Sequence, residues 1–346
     1  MRLWPSSRQE HPKQFIDFFG TGRTQLQSTY DRFSSFMQKE NIFICTCMEY
    51  AHLVREQLPE LHENQLLVEP VNRNTAPAVA WAGRRIHNLC PEARIIVTPS
   101  DSFVVDEDAF ARNVQEGLDF VAKHDLMLSL GIRPTRPEPG YGYIQLGEPC
   151  AVKNIYEVQS FTEKPNRDFA RIFMDSGEFF WNTGMFLSNV LFMRQWFLRL
   201  FTDMPFRLAY LPQGYSLDNE REYVQKYYSS YPNVSMDKAA LELSDNVCVM
   251  CCDFGWTDLG TWHSIYEFMQ RSETDNVVID SQVIMENCQG NIVKLPKGHV
   301  GVINGLDGYI VAEEGDVLLI CKKNDSSSLI KKYVTEVGLR YGEQYT

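Results

Sequence analysis

The chain has 346 residues, of which 44% are hydrophobic and 23% are charged, and its formal net charge is -12 at pH 7. This length exceeds one ordinary compact core and indicates one large domain with a smaller one. The acidic balance disfavours non-specific nucleic-acid binding. No apolar run reaches the ~18–20 residues of a membrane span, and no secretory leader is recognisable, so we expect neither nucleic acid nor a membrane as partner.

The N-terminal residues combine three cations with large apolar side chains. Arg2, Arg8 and Lys13 lie close together in an otherwise acidic chain. Guanidinium forks and a lysine ammonium suit phosphate oxygens. Trp4 and Phe15 argue against a solvated, disordered tail. The segment therefore predicts a folded site for a small anionic ligand.

From residue 42 short apolar runs alternate with amphipathic stretches. Predicted strands cover 42–46, 66–68, 94–98, 126–131, 154–163, 183–188 and 247–253, and predicted helices cover 48–58, 75–89, 107–123, 217–228 and 238–243. Such alternation is typical of βαβ units, and it predicts an α/β fold with a mostly parallel sheet.

The polar break at 271–276 is the predicted domain boundary. Beyond it, short apolar pieces separated by Gly and Asn indicate a small β-rich domain. We therefore predict a first domain over 1–270 and a second over 276–346.

Two aspartates each follow an apolar strand. Asp101 comes directly after the predicted strand 94–98, and Asp258 follows the strand 247–253. Ligands of open α/β sheets bind at the carboxyl ends of strands, and two carboxylates suit Mg²⁺ together with phosphates. Taken singly, either aspartate is better explained as a turn or cap residue than as a metal ligand.

The segment 69–78 runs from a strand end into a helix start. Asn74 or Thr75 can cap that helix, whose free amides could face an anion or a base. Glu69 could accept hydrogen bonds from the N1–H and exocyclic amine of guanine. A well-capped helix without any ligand explains the same residues.

Three further blocks carry polar or aromatic groups. Residues 140–144 alternate glycine with tyrosine, which suits a sugar ring but also an ordinary hairpin. Glu163 and Lys164 offer a hydroxyl acceptor beside a phosphate donor. Residues 181–186 lead into a predicted strand. Each block alone is a weak signal.

The nine cysteines are odd in number and irregularly spaced, and they spell out no zinc knuckle. We interpret them as buried, inert free thiols in a reducing compartment, and therefore predict a cytoplasmic protein. The seven histidines show no metal spacing, and no Gly-x-Ser-x-Gly elbow supports hydrolase chemistry.

The run Arg2-Leu3-Trp4-Pro5-x-Ser7-Arg8, followed by Pro12-Lys13-Gln14-Phe15, resembles the signature of the mannose-1-phosphate guanylyltransferases, in the sugar nucleotidyltransferase superfamily. The resemblance continues in spaced blocks along nearly the whole chain. It implies a Rossmann-like nucleotidyltransferase domain and a small, β-helix-like C-terminal domain. In the family a strand and a Gly-Gly-x-Gly-Thr loop precede the signature, whereas here only Met1 precedes Arg2. We therefore expect an N-terminally truncated catalytic domain.

The resemblance also implies residue roles. Asp101 and Asp258 match the family's two metal-binding aspartates, for Mg²⁺. The implied catalytic residues are Arg2, Lys13, Asp101 and Asp258. The implied nucleotide-binding residues are Arg2, Glu69, Asn74, Thr75, Ala76, Pro77 and Ser100. The implied sugar-phosphate-binding residues are Tyr141, Gly142, Tyr143, Glu163, Lys164 and Asn182.

These roles imply transfer of GMP from GTP to mannose 1-phosphate, giving GDP-mannose and pyrophosphate. One alternative is a related pyrophosphorylase that uses another nucleotide or sugar phosphate. The other is a non-catalytic paralogue that binds a sugar nucleotide, because the glycine-rich loop is missing. The sequence does not fix the oligomeric state and is compatible with a homodimer.

Overall fold

A computed structural model of the chain describes residues 2–200, 215–242, 246–270, 272, 274–324 and 326–346. The chain divides into two compact units. The smaller unit comprises residues 1–31, 100–103 and 257–346, and the larger unit comprises residues 32–99 and 104–256. The predicted division at 271–276 stays a prediction. No sequence pattern indicates that the N-terminal residues group with the C-terminal strands.

The α-helices of the described chain are α1 (Gln25–Ser34), α2 (Ala51–Gln57), α3 (Thr75–Leu89), α4 (Glu107–Val121), α5 (Arg167–Ser176), α6 (Val190–Leu200), α7 (Leu217–Tyr227), α8 (Trp262–Met269) and α9 (Ser326–Tyr341). Short 3-10 turns occur at several places, and Lys238–Glu242 form a π-helix.

The strands are β1 (Ile44–Cys47), β2 (Leu66–Glu69), β3 (Arg94–Val97), β4 (Ser102–Val104), β5 (Met127–Ile132), β6 (Gly142–Pro149), β7 (Ile155–Glu163), β8 (Phe179–Asn189), β9 (Val247–Cys252), β10 (Trp256–Asp258), β11 (Val277–Ile279), β12 (Gln282–Glu286), β13 (Ile292–Lys294), β14 (Val300–Asn304), β15 (Tyr309–Glu314) and β16 (Val317–Lys322).

The larger unit is built on a six-stranded sheet in the order β3-β8-β5-β9-β7-β6, and β1 and β2 form a separate parallel pair. The α/β class is confirmed, but the predicted mostly parallel pairing is corrected. Only β5 and β9 pair in parallel in the described six-stranded sheet; the other pairings are antiparallel. For β6 and β7 the reason is local, because the two strands are joined by a short connection that suits antiparallel strands.

The core of the larger unit lies where helices pack on this sheet. Trp81, Phe186 and Trp196 are buried there, and Tyr228 is fully buried beside Trp81. Helices α3 and α6 contact each other closely, since a Cβ at Gly83 would lie 3.5 Å from the sulfur of Met193. A small residue at this position lets the two helices approach.

The smaller unit contains parallel coils. Strands β11, β13 and β15 pair in parallel, as do β12 and β14, so successive turns of chain stack on one another. This arrangement confirms the β-helix-like fold expected for the C-terminal part. Helix α9 was not predicted there, although Ile330, Tyr333, Val334 and Val337 recur at helical spacing and pack in the core of the smaller unit.

The N-terminal residues belong to the core of the smaller unit. Leu3, Trp4 and Phe18 are buried with Trp262 and Ile310. The Trp262 indole N–H donates to the Trp4 carbonyl at 3.1 Å, and the Trp4 indole donates to the Tyr345 carbonyl. The prediction of a folded rather than a disordered N-terminus is therefore confirmed.

The nine cysteines are all free, as predicted, but Cys45 and Cys90 are exposed rather than buried. Burial raises the pKa of the Cys251 thiol to about 12, which keeps it protonated and inert near neutral pH. In the part of the chain that the structure describes, no helix is long and apolar enough to cross a bilayer.

Candidate active site

Three predicted catalytic residues meet in the smaller unit. The Lys13 Nζ lies 2.7 Å from Asp258 Oδ1 and 3.2 Å from Asp101 Oδ2. The lysine side chain is 13% exposed, whereas the two carboxylates are 34% and 42% exposed. A nearly buried ammonium therefore bridges two carboxylates that remain open to solvent on their other sides.

Local backbone structure places each of these side chains. Lys13 begins a 3-10 turn whose third residue, Phe15, is buried and anchors the segment. Asp101 lies in the turn between β3 and β4, and Asp258 is the last residue of β10. Strands β4 and β10 pair with each other, which brings the two carboxylates to one place. Gly260 allows close approach, because a Cβ there would lie 3.0 Å from the Asp258 carboxylate.

The two carboxylates keep Lys13 charged. Burial alone would lower the pKa of Lys13, but the attraction and hydrogen bonds of Asp101 and Asp258 outweigh burial and raise that pKa above 10.5. The ammonium is therefore a permanent cation at neutral pH.

The donor set fits magnesium. Asp101 and Asp258 both reach one cation, the Lys13 ammonium, so they are close enough to share an ion. Carboxylate oxygens are the ligands that Mg²⁺ prefers, with phosphates and water in the remaining positions. Among the described residues, no group of three or more His, Cys, Asp or Glu side chains could hold a metal alone. A magnesium ion here would depend on substrate phosphates.

The other N-terminal cations differ in their surroundings. Arg2 is half-buried. Arg8 donates to three backbone carbonyls, at Pro5, Glu314 and Gln344, which gives it a supporting position. Ser100 also takes part in local structure, since its carbonyl accepts the Thr29 hydroxyl at 3.1 Å.

Glu69 ends β2 in the larger unit and is only 7% exposed. Its Oε1 accepts a hydrogen bond from the hydroxyl of Tyr228, a residue that the sequence analysis did not single out. Burial raises the pKa of the Glu69 carboxyl, and the tyrosine hydrogen bond offsets part of this rise. Tyr228 thus fixes the direction of the predicted guanine acceptor.

The start of α3 differs from the prediction of free amides. Asn74 caps the helix, as predicted, and its side chain accepts the Thr75 amide at 3.0 Å. The Ala76 amide donates to the Val234 carbonyl at 3.1 Å. Pro77 has no amide hydrogen. These first amides are therefore already bonded within the chain and do not form an open anion site.

The sheet brings the three predicted sugar-phosphate blocks together. Gly142 of β6 pairs with Glu163 of β7, and Tyr143 pairs with Trp181 of β8. Strand β8 begins at Phe179 rather than at the predicted residue 183, so Trp181 and Asn182 lie inside the strand rather than before it. Gly142 has a packing reason, because a Cβ there would lie 2.7 Å from the Phe161 ring.

The contacts of the two tyrosines in this region are ring packing and a hydrogen bond within the chain. Tyr141 is 5% exposed, and its ring packs against Trp181 and Trp256. Tyr143 is fully buried, and its hydroxyl donates to the Glu138 carbonyl at 3.2 Å. Neither ring offers a face to a sugar, and their predicted binding role stays a prediction.

Polar side chains of the same region interact directly. Lys164 contacts Glu163, and both are about half exposed. Asn182 is 8% exposed and donates to Asp237 Oδ1 at 2.6 Å. Burial raises the pKa of Asp237, against the hydrogen bond from Asn182. Asp237 carried no distinctive sequence signal, because an aspartate just before a predicted helix is typical of a cap.

The predicted site residues are thus grouped within each unit. Lys13, Asp101 and Asp258 meet in the smaller unit. In the larger unit, Gly142, Glu163 and Lys164 are adjacent, and so are Asn182 and Asp237. Glu69 and the α3 cap lie in the larger unit, around Tyr228 and Val234.

Comparison with known proteins identifies the family. Residues 1–275 match the family model described as nucleotidyl transferase. A mannose-1-phosphate guanylyltransferase of Escherichia coli is 31% identical over 98% of this chain and 73% of its own length. The enzyme of the same name from Salmonella montevideo is 32% identical over 98% of this chain and 72% of its own length.

A solved structure agrees with these matches. The protein named mannose-1-phosphate geranyltransferase from Thermus thermophilus superposes with a TM-score of 0.82 and 28% identity, covering 96% of this chain and 95% of that one. The chain therefore belongs to the nucleotidyl transferase family, in the group formed by the mannose-1-phosphate guanylyltransferases.

Proposed function

We propose that this protein transfers GMP from GTP to mannose 1-phosphate, forming GDP-mannose and releasing pyrophosphate. The observation that carries the proposal is the 31% identity to a mannose-1-phosphate guanylyltransferase over 98% of the chain. The contact of Lys13 with Asp101 and Asp258 supports it, because a triphosphate substrate requires charge neutralisation.

The reaction is a displacement at the α-phosphorus of GTP. An oxygen of the sugar phosphate attacks with its lone pair and forms the new P–O bond. The bond between the α-phosphorus and the oxygen bridging to the β-phosphate breaks, and pyrophosphate leaves with that electron pair. The attacking oxygen is already an anion at neutral pH, so no general base is needed. Positioning and charge neutralisation are what the protein must supply.

Asp101 and Asp258 would hold Mg²⁺, as their contact with one shared cation supports. When bound, the metal would neutralise phosphate charge as a Lewis acid. Lys13 and Arg2 would attract the triphosphate and stabilise the leaving pyrophosphate. The permanent charge of Lys13 supports this role.

The larger unit would select and orient the two substrates. Glu69, fixed by Tyr228, would accept the guanine donors. Glu163 and Asn182 would hold sugar hydroxyls, and Lys164 would hold the sugar phosphate. The adjacency of these blocks in the sheet supports a common pocket for one ligand.

The experiment is a substrate panel with pyrophosphate release as the readout. GTP, ATP, UTP and dTTP are each tested with mannose 1-phosphate and with glucose 1-phosphate, at fixed Mg²⁺. The proposal predicts that GTP with mannose 1-phosphate gives the highest kcat/KM. A higher value for another pair would identify a related pyrophosphorylase, and no release with any pair would contradict nucleotidyl transfer.

A further inference from the structure

Asp237 lies beside a predicted sugar ligand, although no motif marks it. Its Oδ1 accepts the Asn182 Nδ2 hydrogen bond at 2.6 Å. The Asn182 Oδ1 in turn accepts from the Gly184 amide at 3.1 Å and from the Ser129 hydroxyl at 3.3 Å. Three hydrogen bonds therefore fix the plane and the direction of the asparagine amide.

The polar groups around Asp237 differ in how far they are exposed to solvent. Asn182 is 8% exposed, whereas the side chains of Glu163 and Lys164 are 42% and 49% exposed. The charges of Glu163 and Lys164 both act on Asp237, so the four groups are electrostatic neighbours. The region therefore has a buried amide beside a half-buried carboxylate, with a cation nearer to solvent.

The hydrogen-bond donors of Asp237 are unusual for a half-buried carboxylate. Among the described residues its hydrogen-bond donors are neutral, the Asn182 side-chain amide and a backbone N–H, and no ion pair involves it. Removing a carboxylate from water is costly unless hydrogen bonds or a cation compensate. Ligand hydroxyls are donors that would complete this compensation.

The chemistry of the pair fits a sugar ring. Neighbouring hydroxyls both donate and accept, and a carboxylate next to an amide offers acceptors beside a donor. A phosphate instead requires a cation, which Lys164 supplies nearer to solvent. We propose that Asp237 is a sugar-binding residue that, with Asn182, binds ring hydroxyls of a hexose 1-phosphate whose phosphate lies at Lys164. This inference rests on the proposed function for the identity of the sugar phosphate.

Direct binding of mannose 1-phosphate, measured by calorimetry, tests the inference without turnover. Asp237→Asn keeps the shape and removes the charge. We expect the Kd for mannose 1-phosphate to rise at least tenfold, with the Kd for GTP unchanged within twofold. The control is Asp218→Asn, whose side chain in α7 is 96% exposed and which should bind both ligands like the parent.

Deoxy analogues of mannose 1-phosphate, each lacking one ring hydroxyl, distinguish contact from a structural role. Removing the hydroxyl that Asp237 binds should raise the Kd of the parent. The same removal should raise the Kd of Asp237→Asn by a factor at least five times smaller. A variant Kd within twofold of the parent, or equal deoxy penalties in both proteins, would overturn the inference. If Asp237→Asn melts at a lower temperature, Asp237→Glu, which keeps the charge one methylene further out, undergoes the same comparison.

The two proposals fail differently. Pyrophosphate release by the parent, with unaltered sugar binding in both Asp237 variants, would leave the proposed function standing and remove Asp237 from it. Absence of mannose 1-phosphate binding in the parent would overturn both.

Discussion

Single residues in the smaller unit carry the charge arrangement that phosphate chemistry needs. Lys13 bridges Asp101 and Asp258, which lie 88 and 245 positions away from it in the sequence. The Lys13 Nζ is nevertheless only 2.7 Å from Asp258 Oδ1. Sequence motifs pointed to each of these three residues, but a sequence pattern alone could not show that their side chains are in contact. Contacts at such separations depend on how the chain folds as a whole. The same holds for Tyr228 and Glu69, which are 159 positions apart.

Asp101→Asn and Asp258→Asn should each abolish turnover. Each change keeps the shape of the side chain but replaces a charged cation ligand by a neutral amide, which typically costs several kcal/mol in the transition state. Pyrophosphate release and melting temperature are measured together, with Asp168→Asn in α5 as a matched exposed control. Activity within tenfold of the parent in both variants would contradict the assignment of these aspartates.

Glu69→Gln should relax nucleotide discrimination more than it lowers the maximal rate. A glutamine offers one carbonyl oxygen where the carboxylate offers two acceptors, so guanine loses its advantage over adenine. The measured quantity is the ratio of kcat/KM for GTP and ATP. Tyr228→Phe should lower the same ratio, because it removes the hydroxyl that fixes Glu69.

The matched control for Glu69→Gln and Tyr228→Phe is Tyr231→Phe. The Tyr231 ring is buried, and its centroid lies 5.0 Å from that of the Tyr228 ring. Tyr231→Phe removes a hydroxyl from the same cluster without removing the Glu69 hydrogen bond. An unchanged GTP preference in Glu69→Gln would show that guanine is read elsewhere.

At the scale of elements, the sequence predicted the ends of a helix well where a capping residue or a proline marks them. Helix α3 has the predicted bounds, because Asn74 caps it and Pro77 suits its first turn. Strand β12 was missed, although it contains the short apolar run Val283-Ile284-Met285, whose side chains are at most partly buried. Asp237 was missed because a cap and a ligand look alike in sequence.

Helices α3 and α7 are tied by a buried ion pair. Glu220, which is fully buried, accepts from Arg85 Nε at 2.8 Å and from the Trp81 indole at 2.7 Å, while its other oxygen accepts the Tyr215 hydroxyl at 2.8 Å. Glu220→Gln leaves the Arg85 charge buried without its counter-ion. Breaking such a pair typically costs about 3–5 kcal/mol.

Urea unfolding monitored by tryptophan fluorescence measures this loss. The control is Glu63→Gln, which breaks the exposed pair with Arg55 and should leave the midpoint unchanged. Equal midpoints for Glu220→Gln and the parent would show that the buried pair does not stabilise this packing.

Lys323 should make the smaller unit more stable at alkaline pH. Its Nζ donates to the Gly290 carbonyl and lies over the Tyr266 ring, and burial lowers its pKa to about 8. The unfolded lysine keeps a pKa near the ordinary 10.5. Between these values the unfolded state binds more protons, so stability rises with pH through this window.

Lys323→Met removes the titrating group, so its melting temperature should rise less between pH 8 and about 10.5 than that of the parent. Lys322→Met, at the neighbouring exposed position, is the control. Parallel pH profiles for Lys323→Met and the parent would contradict a protonation-linked contribution from Lys323.

At the scale of the whole molecule, the sequence predicted the family and the α/β class, because its motifs are spread along nearly the entire chain. It did not predict that residues 1–31 group with the C-terminal strands. Buried Leu3 and Trp4 contact residues near the other end of the chain, and a sequence pattern shows burial without showing the partner.

Transfer of the α-phosphate of GTP to mannose 1-phosphate is the central claim, and isotope tracing tests it most directly. The protein is incubated with Mg²⁺, mannose 1-phosphate and GTP labelled at the α-phosphorus, and the products are separated and counted. We expect label in GDP-mannose, with an equal amount of unlabelled pyrophosphate and no product when mannose 1-phosphate is omitted. Label that stays in GTP, or that appears as free GMP without GDP-mannose, would contradict the claim.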